Sequence, residues 1–216
     1  WKPDSEVWDA VKQSSLERDA RVSVLGIKRG EPGTILSSAS IHIRTSRDEV
    51  GAPIFYRDVP LPFLYAAMHP DDIRWRLADI TSDRTPPVVL QDLPVCGNCH
   101  SFTRDGRTLA MDADYGNDKG SYVITAVEKR TRITPDRIIS WTDYRPEDEI
   151  PTFGLLPQIS PDGRYAISTG KDRAVFTPKH SLAYSHLFFP AKGILVVYDR
   201  ETKRFWSLPG ANDPKY

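Results

Sequence analysis

One six-residue segment occurs twice in the chain, and it limits the fold more than any other feature. Phe102-Thr103-Arg104-Asp105-Gly106-Arg107 returns as Ile159-Ser160-Pro161-Asp162-Gly163-Arg164. Each copy runs from an apolar residue through Ser/Thr-x-Asp-Gly-Arg into an apolar run, Leu109 to Met111 and Ala166 to Ile167. Asp-Gly supplies the positive φ of a tight hairpin at little steric cost, so each copy predicts two antiparallel strands about a turn. A further strand is expected after each, over Tyr122 to Val127 and over Ile194 to Tyr198. The second ends in Tyr198-Asp199-Arg200-Glu201-Thr202-Lys203-Arg204-Phe205, which reads as a strand, a polar turn and a strand restart. Eighteen prolines and five tryptophans in 216 residues also fit short elements joined by stiff turns better than a helical bundle. A mainly all-β fold is expected.

The repeated unit resembles the blade repeat of TolB-like β-propellers over residues 96–208. The competing reading is two ordinary hairpins with similar turns. Two blades do not close a ring of the usual four to eight or so. The resemblance therefore implies a partial propeller, one completed by further sequence, or a small open sheet in its place. The ending, Leu208-Pro209-Gly210 through Pro214-Lys215-Tyr216, reads as an inter-blade connection in a longer protein.

Ahead of the repeat, residues 4–19 carry one helix signal: Asp4 or Ser5 as cap, then Val7, Trp8, Val11 and Leu16 at helical spacing. The period then becomes two. Val22 and Val24 lead a strand towards Ile27, and Gly30, Pro32 and Gly33 are expected to break the chain. Ile41, Ile43 and Thr45 form a second alternating run, and Pro53 to Val59 a third, ended by Pro60 and Pro62. Ile73, Trp75 and Leu77 alternate as a fourth, with a short helix from Pro70 as the alternative. Pro86-Pro87 marks the expected boundary between a small, mostly β accessory region (1–87) and a segment with two blade repeats (88–216).

Lysine plus arginine and aspartate plus glutamate both count 29, so bulk charge gives no support to nucleic-acid or membrane-surface binding. No apolar run approaches the roughly 20 residues needed to span a bilayer. The chain opens at Trp1 without a basic or apolar leader, which leads us to expect a removed targeting segment or a partial chain.

The only cysteines, Cys96 and Cys99, stand in Cys96-Gly97-Asn98-Cys99-His100. Two thiols at this spacing reach the two vinyl groups on one edge of a haem, and the imidazole that follows can ligate the iron. Gly97 leaves the backbone free to curl, and Asn98 is small. Three alternatives compete. A zinc site needs four ligands, whereas His42, His69, His180 and His186 are scattered. A thioredoxin-like pair wants a βαβ setting. Two buried structural thiols leave His100 unexplained.

The run from Leu93 to Phe102, continuing through Asp105-Gly106-Arg107 to Lys119-Gly120, resembles a bacterial family of secreted proteins. Its members join a C-x-N-C-H-S-F-S motif to TolB-like blades. Thr103 stands where the motif ends in serine. Ala52 to Phe63 also resembles the region before the motif in that family. The resemblance implies an extracytoplasmic c-type cytochrome with one covalent haem on Cys96, Cys99 and His100, working in the periplasm or extracellularly. Met111 is favoured as sixth ligand by its place in the motif. Against it, a hairpin turning at Asp105-Gly106 would set Met111 beside His100, whereas axial ligands approach from opposite faces. Met68, His69, His42, His180, His186 and a five-coordinate iron stay open.

Asp112, Asp114, Asn117 and Asp118 make an oxygen-rich loop that fails the EF-hand pattern and reads as a solvated blade loop rather than a calcium site. Neither G-x-S-x-G, a P-loop nor H-E-x-x-H occurs. The leading expectation is electron transfer, not an enzyme. Its partners would be redox proteins or other cytochromes, or further copies in a larger assembly. The rival is a haem-free propeller module for protein interaction, with a C-x-x-C metal or redox pair. A peroxidase-like haem enzyme would need an open iron face and a distal base.

Overall fold

A computed structural model describes residues 2–82, 84–93, 97–178 and 186–212, without the side chains of Phe63, Phe176, Pro178, His186, Leu187, Phe188 and Pro190. The chain divides into two compact units, residues 1–51 and 52–216.

In the first unit, α1 (Ser5–Ser14) starts where Asp4 caps it, its carboxylate accepting the Val7 amide at 2.8 Å. Such a cap contributes about 1 kcal/mol. Strands β1 (Ala20–Lys28) and β2 (Glu31–Ile43) form an antiparallel ribbon about Gly30, whose φ is +83°. Pro32 and Gly33 were expected to end the strand but lie within β2. The register slips between Gly26 and Lys28, opposite them, and an irregular stretch accommodates a residue without an N–H.

The second unit opens with β3 (Ile54–Asp58), α2 (Phe63–Met68), β4 (Arg74–Ala78) and β5 (Val88–Leu90), the strands forming an antiparallel sheet in the order β3-β4-β5. Two four-stranded sheets follow. The first holds β6 (Gly97–Phe102), β7 (Thr108–Ala113), β8 (Ser121–Ala126) and β9 (Ile138–Ser140). The second holds β10 (Gln158–Ile159), β11 (Tyr165–Pro178), β12 (His186–Asp199) and β13 (Arg204–Ser207). Both are antiparallel with neighbours in chain order, the meander of a propeller blade. The protein is mainly β, with two four-stranded meanders of the form that propeller blades take.

The expected boundary at Pro86-Pro87 is not where the chain divides. β4 and β5 pair across it, Trp75 opposite Leu90 and Arg76 opposite Val88, and the Leu77 amide donates to the Pro87 carbonyl. The prolines mark a loop inside one sheet.

The repeated turns fold alike. Thr103 Oγ1 donates to Asp105 Oδ1 at 2.7 Å, and the same oxygen accepts the Arg107 amide. In the second copy Ser160 and the Arg164 amide bond to Asp162 Oδ1 in the same way. These bonds, the hydroxyl's first, hold both carboxyls below their usual range. The two turns also touch. The Arg104 amide donates to the Pro161 carbonyl at 2.8 Å, and a Cβ on Gly163 would lie 2.7 Å from Thr103 Cγ2. Gly163 thus supplies both a φ of +77° and close approach.

Alternation along β7 builds two cores. Leu109, Met111 and Ala113 face Trp75, Leu90 and Leu93 of the preceding segment. Ala110 faces the other way, where Tyr122, Ile124 and Trp141 meet Ile159, Ala166, Val196 and Tyr198 of the second blade. The first blade is therefore covered on both sides, which is why β7 is apolar over consecutive residues.

Candidate functional site

Strand β6 lies at the edge of its sheet and carries Gly97 to His100. Gly97 pairs with Ala113 and His100 with Met111, so Asn98 and Cys99 together oppose Asp112. This is a β-bulge, which re-aims the strand. Without it Gly97 and His100, three apart, would face opposite sides. With it both lie opposite the residues that face Trp75.

Gly97 is pressed into that core. A Cβ there would stand 2.5 Å from Leu93 Cδ1, 2.6 Å from Met111 Cε and 3.1 Å from Trp75 Cζ2. Arg57 on β3 donates to the Gly97 carbonyl at 3.1 Å, fixing the start of the motif from the neighbouring sheet.

His100 is exposed at the rim of this core. Its ring meets Phe55 edge-on with centroids 4.9 Å apart and Phe102 at 5.9 Å, and the two phenyl rings lie 5.3 Å from each other. Partial burial holds the imidazole below its ordinary pKa, against a smaller upward pull from the Asn98 backbone. The ring is neutral at pH 7, the form that ligates metals. Cys99, the preceding residue, is half-buried. Burial pushes Tyr122 up to about 12; its bond to Ser101 opposes this, while Asp112 and Cys99 add to it. Burial also lifts Asp112 to about 6, and Asp112 Oδ1 has no hydrogen bond among the described residues.

Cys96 lies outside the described residues. The part that is described fits a covalently held haem in its donor set: a half-buried thiol next to an exposed, neutral imidazole, beside two phenyl rings. Met111 is fully buried, directly across from His100 and packed with Trp75 and Leu93. Residues opposite each other in an antiparallel pair leave the sheet on one side, so this placement gives no support to Met111 as an opposed axial ligand. His69 stacks on Tyr65 at 4.4 Å, next to the exposed Met68. His42 lies on β2, His180 falls outside the described residues, and the side chain of His186 is not described.

The acidic loop is not simply solvated. Asp114 is buried and paired with Lys119, Asp118 Oδ1 accepts the Gly120 amide at 3.0 Å, and Asp112 belongs to β7. Among the described residues, no three His, Cys, Asp or Glu side chains converge on a metal-sized site. Sequence reasoning missed the roles of Phe55, Arg57 and Trp75. Their contacts to the motif cross between sheets, and only the resemblance of Ala52–Phe63 to the segment preceding such motifs hinted at them.

No family model matches the chain, and no curated protein matches it. Among solved structures it is similar to the crystal structure of the tricorn protease, with 10% identity and a TM-score of 0.34. The match covers 66% of this chain and 11% of that one. The fold assignment rests on the sheets themselves.

Proposed function

We propose that the chain holds one haem covalently through Cys96 and Cys99, with His100 as the proximal ligand, and transfers single electrons outside the cytoplasm. The observation that carries this reading is the exposed, neutral His100 beside Cys99 on a bulged edge strand. Bound there, the group supplies the one-electron chemistry of its iron. The chain's own residues do the rest. Cys96 and Cys99 form the thioethers, and the bulge brings the imidazole to the side of the sheet that Gly97 enters, at the rim of that core. Phe55 and Phe102 flank the ring and keep water from its covered edge. The site of attachment implies the periplasm or the cell surface, with redox proteins, cytochromes or further copies as partners. Met111 stays with the core and is not part of the proposed ligand set.

The test is production in a host with periplasmic cytochrome maturation. The wild-type chain should keep its Soret absorbance through denaturation. Cys96→Ser with Cys99→Ser should lose it while keeping a β-type circular dichroism spectrum. A wild-type chain without Soret absorbance would favour the haem-free module.

A further inference from the structure

A second candidate site lies between the two blades, lined by none of Cys99, His100 or Phe55. It is a cleft of about 410 Å³, in the size range of small-molecule sites. Ile124 on β8, Ile139 on β9 and Tyr198 at the end of β12 form its floor but are packed into the core between the blades, so the surface it offers is mostly polar.

Three cations line the cleft, Arg137, Arg200 and Lys203, with Asp136 as the one carboxylate. The charges are sorted by the turn after β12. Asp199 and Glu201 are both held by Arg164, at 3.2 Å each. Arg200 instead donates to the Gly163 carbonyl, a neutral acceptor, and so keeps its charge uncompensated. Lys203 has no ion pair among the described residues. Arg137 faces Asp136 at 3.4 Å through Nε, both partly exposed, while its Nη1 is fixed on Thr125 at 3.0 Å. Three positive charges against one negative leave an excess of two on a chain whose formal net charge is zero. A cleft with low-dielectric walls and charge of one sign concentrates ions of the other.

We propose that this inter-blade cleft binds a small organic oxyanion, a carboxylate or phosphate monoester. The charged end would face Arg200 and Lys203, with Arg137 beside them. The inference does not depend on the haem reading.

The experiment is an amide NMR titration of the full chain with benzoate, phenyl phosphate and benzyl alcohol. Both anions should shift amides of residues 124–126, 137–139 and 198–203, and the neutral alcohol should not. Whichever anion binds more tightly identifies the headgroup. Arg200→Gln with Lys203→Gln should weaken anion binding by about tenfold or more, whereas the same charge change at Lys129 and Arg130, outside the cleft, should leave it within about twofold. Equal binding of benzyl alcohol would overturn the proposal, as would equal weakening by the control pair or no shifts at these amides.

Discussion

His100 stands directly across the β6–β7 ladder from Met111, the one exposed at the rim of a core and the other fully buried within it. The motif's imidazole and the nearest thioether thus leave the sheet on the same side. Met111→Leu, close in volume, should cost less than about 1.5 kcal/mol. Met111→Ala should cost about 2–5 kcal/mol. Urea unfolding checks both. The visible spectrum of haem-loaded Met111→Leu should match wild type, whereas an axial role would change it.

Gly97 meets Leu93, Met111 and Trp75 at distances that leave no room for a methyl group. Gly97→Ala should destabilise the protein by about 1–3 kcal/mol, the usual cost of overpacking. The clash with Met111 involves the flexible Cε end, so Met111→Val should recover part of the loss. A double-mutant cycle measures the coupling.

The two Asp-Gly turns offer a built-in comparison. Gly106 has a φ of +67° and nothing within 4 Å of an added Cβ, whereas Gly163 has a φ of +77° and Thr103 at 2.7 Å. Gly106→Ala should cost only left-handed backbone strain, about 1 kcal/mol. Gly163→Ala should cost more, and Thr103→Ser should restore part of the difference by removing Cγ2. Equal costs would contradict the turn-to-turn contact.

Asp112 gives a pH signature. Burial raises its folded pKa from 3.8 to about 6, with Arg57 pulling the other way. Between these values the folded state holds the proton more tightly, so this group's stabilising effect is full below the unfolded pKa. It is lost as pH rises towards 6. Asp112→Asn should flatten the pH dependence over that window and be more stable than wild type at pH 7, on the order of 2 kcal/mol. Denaturant midpoints of the unloaded protein from pH 3.5 to 7 measure this. The difference between variants cancels His100, which works in the opposite sense because its depressed pKa costs stability as pH falls below 6.5.

Local chemistry made much of this readable. The Asp-Gly turns, the Asp4 cap and the alternation of β3 and β4 each depend on residues close in sequence, and each formed as expected. The Phe63–Met68 helix and the short β9 strand lacked a strong periodic signal and were missed. β11 and β12 run 14 residues each, well past the apolar runs that announced them. Pro86-Pro87 looked like a boundary because two prolines end local structure, yet β4 pairs across them, a tertiary decision. At the site, Cys99 and His100 were legible from spacing, and the hairpin turn already implied the neighbourhood of Met111. The bulge at Asn98-Cys99 and the Phe55 and Trp75 contacts were not legible, since register and inter-sheet packing decide them.

Intact mass of the denatured chain, taken after maturation in a cytochrome-competent periplasm, tests the covalent-haem proposal most directly. An excess of one haem, with visible absorbance travelling on the same chain, is the expected result. A mass equal to that of the bare polypeptide would contradict it.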